Sequence, residues 1–181
     1  MLDTRLQAAI IKDSKNSLSM RGIAVDIVKL LVSVIICQLA GVIGSLATTP
    51  AIPVWYASLR KPAFTPPSWL FAPVWIILFF LMGCALFLVW RQGVRIAGVK
   101  PALMIFAVQL ILNVLWSFAF FGLRSPLTGL VVMCVLWMMI VATIIAFFRV
   151  STIAAVLLVP YILWVSYAAV LNAAIFAINR G

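Results

Sequence analysis

Apolar residues in this 181-residue chain are gathered into long stretches that short polar segments separate. A helix needs about 20 mainly apolar residues to cross the hydrocarbon core of a bilayer. Stretches of about that length cover residues 27–46, 72–90, 101–121, 127–148 and 152–177. The pattern therefore predicts an all-α integral membrane protein, a five-transmembrane-helix bundle with a long, structured first loop at 47–71.

Helix-start signals stand at several of the predicted boundaries. Pro101 and Pro126 begin the third and fourth spans, where a missing N–H is tolerated. Ser151 and Thr152 can cap the fifth span. The connection 149–151 is so short that the fourth and fifth spans must be antiparallel neighbours.

The first 25 residues differ from the rest of the chain because they are polar. Their apolar piece, 6–11, is too short for a signal-peptide core. We expect a flexible or weakly amphipathic tail over 1–25, followed by one five-helix domain over 26–181.

The amino-acid composition excludes several classes of enzyme and metal site. Hydrophobic residues make up 67% of the chain and charged residues 9%, whereas soluble domains have about 45–50% and about 25%. Histidine is absent, and the only acids are Asp3, Asp13 and Asp26. Paired-carboxylate hydrolases, Ser–His–Asp hydrolases and His-ligated metal sites therefore lack their parts. We expect no metal site and no obligatory cofactor.

The net charge of +10 indicates membrane orientation rather than nucleic-acid binding. No stripe of basic residues with interleaved exposed aromatics lies outside the apolar stretches. Nine Lys and Arg lie on the side of the N-terminus and four on the other side. By the positive-inside rule, the N-terminus is expected in the cytoplasm and the C-terminus outside, in a bacterial-type membrane.

Prolines stiffen the first loop, and aromatic residues crowd it. Between residues 53 and 69 the prolines are Pro53, Pro62, Pro66 and Pro67. The aromatic residues of the same stretch are Trp55, Tyr56, Phe64 and Trp69. This composition fits two structures, an interfacial aromatic belt with a rigid crossing or a lid over the mouth of a cavity.

Large aromatic and amide side chains share helix faces in three spans. They are Trp75, Phe79 and Met82 in the second span, Gln109, Asn113, Trp116 and Phe120 in the third, and Trp164, Tyr167, Ala168 and Asn172 in the fifth. An amide in hydrocarbon must find a partner, so Gln109, Asn113 and Asn172 should face the bundle interior. They either join helices by hydrogen bonds or, with the aromatics, form a pocket for a planar apolar ligand.

Three ordered blocks of residues resemble a known family. The blocks are Trp55-Tyr56-x-x-Leu59-x-Lys61-Pro62-x-x-x-Pro66-Pro67 with Pro73-Val74-Trp75, Gln109-Leu110-x-Leu112-Asn113-x-x-Trp116, and Pro160-Tyr161-x-x-Trp164 with Leu171-Asn172. Together they resemble the tryptophan-rich sensory protein family, also called the translocator protein, peripheral benzodiazepine receptor or TspO/MBR family. The likeness covers about residues 27–179.

The resemblance implies a five-helix bundle, usually a homodimer, that binds protoporphyrin, related tetrapyrroles and synthetic benzodiazepine-type ligands. By residue-level match, the ligand-binding residues are Tyr56, Trp75, Phe79, Asn113, Trp116, Trp164 and Ala168. Some bacterial members degrade protoporphyrin in light. Trp75 and Trp164 match the tryptophans linked to that photochemistry.

One departure from the family pattern concerns cholesterol. Mammalian members carry a Tyr just after the Leu-Asn pair of the fifth span and an Arg four residues later. Here these positions are Ala173 and Ala177, so we do not expect cholesterol recognition at this site. A loose match at 54–60 coincides with the family motif of the first loop, and such patterns are weak.

Three functions remain open from the sequence. The first is a membrane receptor or carrier for porphyrin-like ligands in tetrapyrrole or stress signalling. The second is a light-dependent enzyme that oxidises bound porphyrin through Trp75 and Trp164. The third is a small-molecule transporter, which the lack of ionisable residues in mid-span disfavours for ion-coupled transport.

Overall fold

The computed structural model describes the backbone of residues 2–180 and the side chains of residue 20 and residues 22–180. Over this range the secondary structure is helical, and five segments are long and apolar enough to cross a membrane. The α-helices are α1 (Leu2–Ala51), α2 (Phe71–Trp90), α3 (Val99–Ser117), α4 (Pro126–Phe148), α5 (Thr152–Leu157) and α6 (Val159–Ile178). The predicted all-α membrane bundle with five spans is confirmed.

The first helix is longer than the hydropathy pattern suggests. At its N-terminal end the backbone is already helical from Leu2, so no helix boundary separates a tail from the first span. The expected amphipathic character of 1–25 concerns side chains that lie mostly outside the described residues. At the other end, α1 continues into a π-helical turn, Ile52–Tyr56.

That π turn shortens the irregular part of the first loop. A proline cannot donate a backbone hydrogen bond, and a π turn is one of the irregularities that accommodate this gap. Pro50 lies inside α1 and Pro53 lies inside the π turn, so the chain stays helical past the predicted loop start at 47. The backbone stays helical through residue 58. The non-helical segment is 59–67, which we call the cap loop, and a 3₁₀ turn, Ser68–Leu70, leads into α2.

The fifth predicted span, 152–177, is one membrane crossing made of two helices. α5 ends at Leu157 and α6 begins at Val159. Pro160 explains the break, because its ring lacks an N–H and crowds the carbonyl four residues earlier. At its start, the Ser151 hydroxyl accepts a hydrogen bond from the Ala154 N–H (3.3 Å), which confirms the predicted cap.

The other helix starts follow the same chemistry. Ser125 caps α4 by accepting from the Thr128 N–H at 3.2 Å, and Pro126 occupies the first helical position. α3 begins at Val99, two residues before Pro101, after Gly98 at a φ of 88°. Only glycine adopts that backbone conformation without strain, so Gly98 sets the start of α3.

The spans pack side by side around one apolar core. α1 contacts α2 and α3, while α4 contacts α3, α5 and α6. The largest fully buried side chains include Met82, Phe106, Met133, Leu136, Ile140, Phe147 and Tyr161. Many large apolar side chains face outward, as expected where lipid replaces water.

Gly83 of α2 allows a close approach of α1. A Cβ at this position would lie 2.6 Å from the Cα of Val34 on α1. That neighbour is backbone, which cannot rotate away. Gly83 therefore sets the distance between α1 and α2, which also form two walls of the cavity described below.

We expect Gly83→Ala to lower the stability of the purified protein by about 1–3 kcal/mol, because the added methyl forces the two helices apart. Thermal unfolding in detergent measures this effect. Gly22→Ala is the matched control, since a Cβ there meets no atom within 4 Å. Equal melting temperatures for the two variants would contradict the packing described here.

Candidate functional site

A cavity of about 370 Å³ lies between α1, α2 and α3, beneath the π turn that follows α1. Its aromatic walls come from Tyr56, Phe71, Trp75, Phe79, Trp116 and Phe121. Exposed residues of α1 and α2, among them Val42, Thr49 and Ile76, also line it. The cavity therefore opens sideways between these two helices, toward the surface that faces lipid.

Two glycines on α1 allow side chains of α2 and α3 to pack closely against this helix. A Cβ on Gly41 would lie 2.7 Å from the Phe79 ring, and one on Gly44 would lie 2.9 Å from the Ser117 hydroxyl. Both glycines line the cavity. The small-residue pattern of the first span thus brings α1 against α2 and α3 at the level of the cavity.

Five of the seven residues matched to the family pocket line this cavity. They are Tyr56, Trp75, Phe79, Asn113 and Trp116. They come from the π turn, α2 and α3, and the structure brings them together from positions up to 60 residues apart in the sequence. The sequence pattern thus identified five of the residues that line the cavity.

Trp164 and Ala168, the two residues from the fifth span, do not line the cavity. The Trp164 ring packs against Phe71 at 6.1 Å between centroids and against Tyr167 at 5.7 Å. Phe71 itself lines the cavity, so Trp164 stands one ring behind its wall. Ala168 is buried in the core of the bundle.

The aromatic rings around Trp75 lie in contact at moderate tilts, and we call the part of the cavity that they line the slot. The Trp75 ring is tilted by 31° to Phe79 at 5.5 Å and by 30° to Trp116 at 6.4 Å. Trp116 stacks on Phe120 at 5.7 Å and 24°. Such rings offer flat π surfaces that suit another flat, apolar ring system.

A buried hydrogen-bond network fixes the polar end of the cavity. The Asn113 Nδ2 donates to the Tyr161 hydroxyl (2.8 Å), which in turn donates to Gln109 Oε1 (3.0 Å). All three residues are buried. This bond uses one of the two N–H groups of the Asn113 amide, which leaves the second N–H and Oδ1.

The amides therefore join helices, and one of them also lines the cavity. Trp116 Nε1 donates to Asn172 Oδ1 (3.4 Å), and Asn172 Nδ2 donates to the Pro126 carbonyl (2.8 Å). Gln109 and Asn172 thus connect α3, α6 and α4, which is the first of the two interpretations that the sequence left open. Asn113 fits both interpretations.

The cap loop is fastened to the C-terminal part of the chain by Tyr167 of α6 and by Asn179, which the sequence analysis did not single out. Asn179 accepts from the Arg60 N–H (3.1 Å) and donates to the Arg60 carbonyl (2.9 Å). The Tyr167 hydroxyl donates to the Phe64 carbonyl (2.6 Å). No local pattern marks these contacts, since each joins residues more than 100 positions apart.

Gln38 is a further cavity residue that the sequence analysis missed. Its Nε2 donates to the Ile76 carbonyl of α2 at 3.0 Å, beside the sideways opening. The rule that drew attention to Asn113 applies equally here, because Gln38 is an amide within an apolar span. In the part of the chain that the structure describes, His, Cys and acidic residues form no group of three that could hold a metal ion.

The fold and the cavity define a multi-pass helical membrane protein with an aromatic chamber between its first three spans. Residues 33–178 match the TspO/MBR family, and the chain belongs to this family. It is 47% identical to the tryptophan-rich protein TspO of Chlorobaculum tepidum, over 80% of this chain and 91% of that protein. It is 41% identical to the protein of the same name from Archaeoglobus fulgidus, over 85% and 99%. The human translocator protein shares 38% identity, over 70% and 76%.

We expect Tyr161→Phe to lower stability by about 1–3 kcal/mol, because it leaves Asn113 and Gln109 without their shared partner in a buried place. The shift in thermal unfolding measures this. Tyr167→Phe is the control, since the Phe64 carbonyl in the exposed cap loop can bind water instead. If both variants lose the same stability, the buried network is not a main support of the bundle.

Proposed function

We propose that this protein is a membrane receptor or carrier that binds porphyrin-type and other planar apolar ligands in the cavity between α1, α2 and α3. The observation that carries the proposal is the slot lined by the contacting aromatic rings around Trp75, with Asn113 at its polar end. Family membership supports it. A role in tetrapyrrole or stress signalling is part of the same proposal.

The energetics of the cavity favour a flat ligand with little charge in its centre. Burial of apolar surface contributes about 25 cal/mol for each Å², and a well-placed ring pair adds about 0.5–1.5 kcal/mol. The volume of about 370 Å³ lies at the lower end of the usual range for ligand pockets, about 300–1,000 Å³. A large macrocycle would fill the slot and extend through the opening toward lipid, which is also a route of entry.

The proposed orientation places the N-terminus in the cytoplasm and the cap loop on the outer side. The excess of Lys and Arg on the side of the N-terminus supports it. On that side Asp26 of α1 pairs with Arg91 at the end of α2 (3.3 Å). The cap loop, at the far end of the same helices, would meet the periplasm.

The binding proposal is tested by titrating the purified protein with protoporphyrin and following tryptophan fluorescence. Trp75→Ala should weaken binding about 30-fold, because the slot loses one face and its buried contact area. Trp164→Ala should weaken it less than about threefold, since Trp164 acts only through Phe71. Trp137→Ala, a change on α4 away from the cavity, is the control for loss of an indole. Unchanged affinity in Trp75→Ala would refute the cavity as the binding site.

Light-dependent oxidation of bound porphyrin is the second candidate, and the surroundings of Trp75 favour it. Its ring lies 6.4 Å from both Trp116 and Tyr161, so a ligand in the slot would touch one end of a chain of oxidisable rings. Trp164 is separated from the slot by Phe71. This assigns the main photochemical role to Trp75.

Trp75→Phe separates the two candidates. Phenylalanine still stacks but is much harder to oxidise than indole, so affinity should fall less than about threefold. If the protein is an enzyme, the same change should slow light-driven loss of porphyrin absorbance at least about tenfold. Absorbance is followed under constant illumination, with free ligand as the reference. Equal rates of porphyrin loss in the variant and the unaltered protein would refute the enzyme hypothesis and leave the receptor hypothesis standing.

A further inference from the structure

The start of α3 and the end of α4 form a corner of the bundle, at the end opposite the cap loop. A Cβ on Gly98, directly before α3, would lie 3.8 Å from Cγ2 of Val150, which follows α4. Deeper in the bundle, the rings of Phe106 and Phe147 stack at 5.5 Å and 15°. The two helix ends are therefore packed against each other, and we call this place the α3–α4 corner.

Three cations lie at the α3–α4 corner. Arg95 is in the loop before α3, Lys100 is the second residue of α3, and Arg149 directly follows α4. All three residues are exposed. Because Gly98 packs beside Val150, the chain places Lys100 and Arg149 on neighbouring helix ends.

No acidic side chain among residues 20 and 22–180 balances these three charges. The one acid in that range is Asp26, and it pairs with Arg91 at 3.3 Å. Like charges held near each other repel, and an anion bound beside them removes this cost. The corner therefore favours an anionic ligand.

Exposed apolar side chains flank the cations. They are Val94, Ile96, Phe148 and Ile153, with exposed fractions of 54–67%. The first two stand on either side of Arg95, in a loop outside the membrane spans. Apolar side chains beside cations at the end of a span suit a surface that contacts both headgroups and acyl chains. An acidic protein in water would match the charges but would leave these apolar side chains without a partner.

We propose that the α3–α4 corner binds an anionic phospholipid, with Lys100 and Arg149 holding its headgroup phosphate and Arg95 adding positive charge. A guanidinium can donate two parallel hydrogen bonds to phosphate, and an ammonium acts as a compact positive charge. The acyl chains lie along the apolar side chains that flank the cations. This site is separate from the cavity, because Lys100 is about 20 Å along α3 from Asn113, the first residue of α3 that lines the cavity.

The test compares an anionic lipid, a zwitterionic lipid and free phosphate. Purified protein in a nonionic detergent is titrated by calorimetry with dioctanoyl phosphatidylglycerol, dioctanoyl phosphatidylcholine and inorganic phosphate. The anionic lipid should bind at least about tenfold more tightly than either of the others. Lys100→Gln and Arg149→Gln should each weaken its binding about fivefold, and the double variant about 20-fold, because each change removes one cation. Lys100→Arg should restore most of the affinity, and the zwitterionic lipid should respond less than about twofold to every change.

Lys29→Gln is the matched control, since Lys29 lies at the same end of the bundle but on α1, over the Trp90 ring at 6.0 Å. It removes the same charge and should change the affinity less than about twofold. Thermal unfolding without lipid checks that each variant is folded, which we expect because the altered side chains of the corner are exposed.

Three results would overturn the proposal. If Lys29→Gln weakens binding as much as Lys100→Gln, binding follows net charge rather than the corner. If the two lipids bind equally, or the double variant binds phosphatidylglycerol unchanged, the cations do not hold the headgroup. If inorganic phosphate binds as tightly as phosphatidylglycerol, the corner is a site for free phosphate and the assignment to lipid is wrong.

Discussion

A polar group within hydrocarbon must find its partner inside the protein, and this requirement organises the whole bundle. Tyr161 meets it by linking Asn113 and Gln109, so one phenol on α6 holds the middle of α3. Asn172 meets it by linking α6 to α3 and α4. These hydrogen bonds restrict the relative rotation of the three helices, while Gln109 Nε2 is left without a partner among the described residues. That rotation turns Trp116 and Asn113 toward α2, and the cavity follows from it.

The cavity exists because the third and sixth helices are held by polar bonds while α1 is held by small residues. Gly41 and Gly83 let α1 lie against α2 at distances that a single methyl would exclude. The same contact leaves an opening lined by Gln38 and Ile76, which are joined by one hydrogen bond. Several hydrogen bonds therefore hold the cavity walls on the side of the core, whereas one hydrogen bond joins α1 to α2 beside the opening toward lipid. This asymmetry suits a site that an apolar ligand reaches from the bilayer.

Local pattern predicts the spans well, because hydropathy and caps are properties of neighbouring residues. The serine before α5 behaves as its sequence indicates. The extension of α1 to Tyr56 was missed because prolines suggest a loop, whereas a π turn absorbs them. The contact of Asn179 with Arg60 could not be predicted, since 119 residues separate the two. Tertiary packing decides which of the matched aromatic residues line the cavity. The sequence match therefore could not show that Trp164 lies behind Phe71 rather than in the cavity.

Trp164 shows how a family-matched residue can serve a site that it does not line. On one side its ring touches Phe71, which forms part of the cavity wall. On the other it touches Tyr167, whose hydroxyl holds the cap loop at the Phe64 carbonyl. Trp164 thus connects the wall of the cavity to the cap loop. These contacts place Trp164 between the cavity wall and the cap loop rather than in the slot itself.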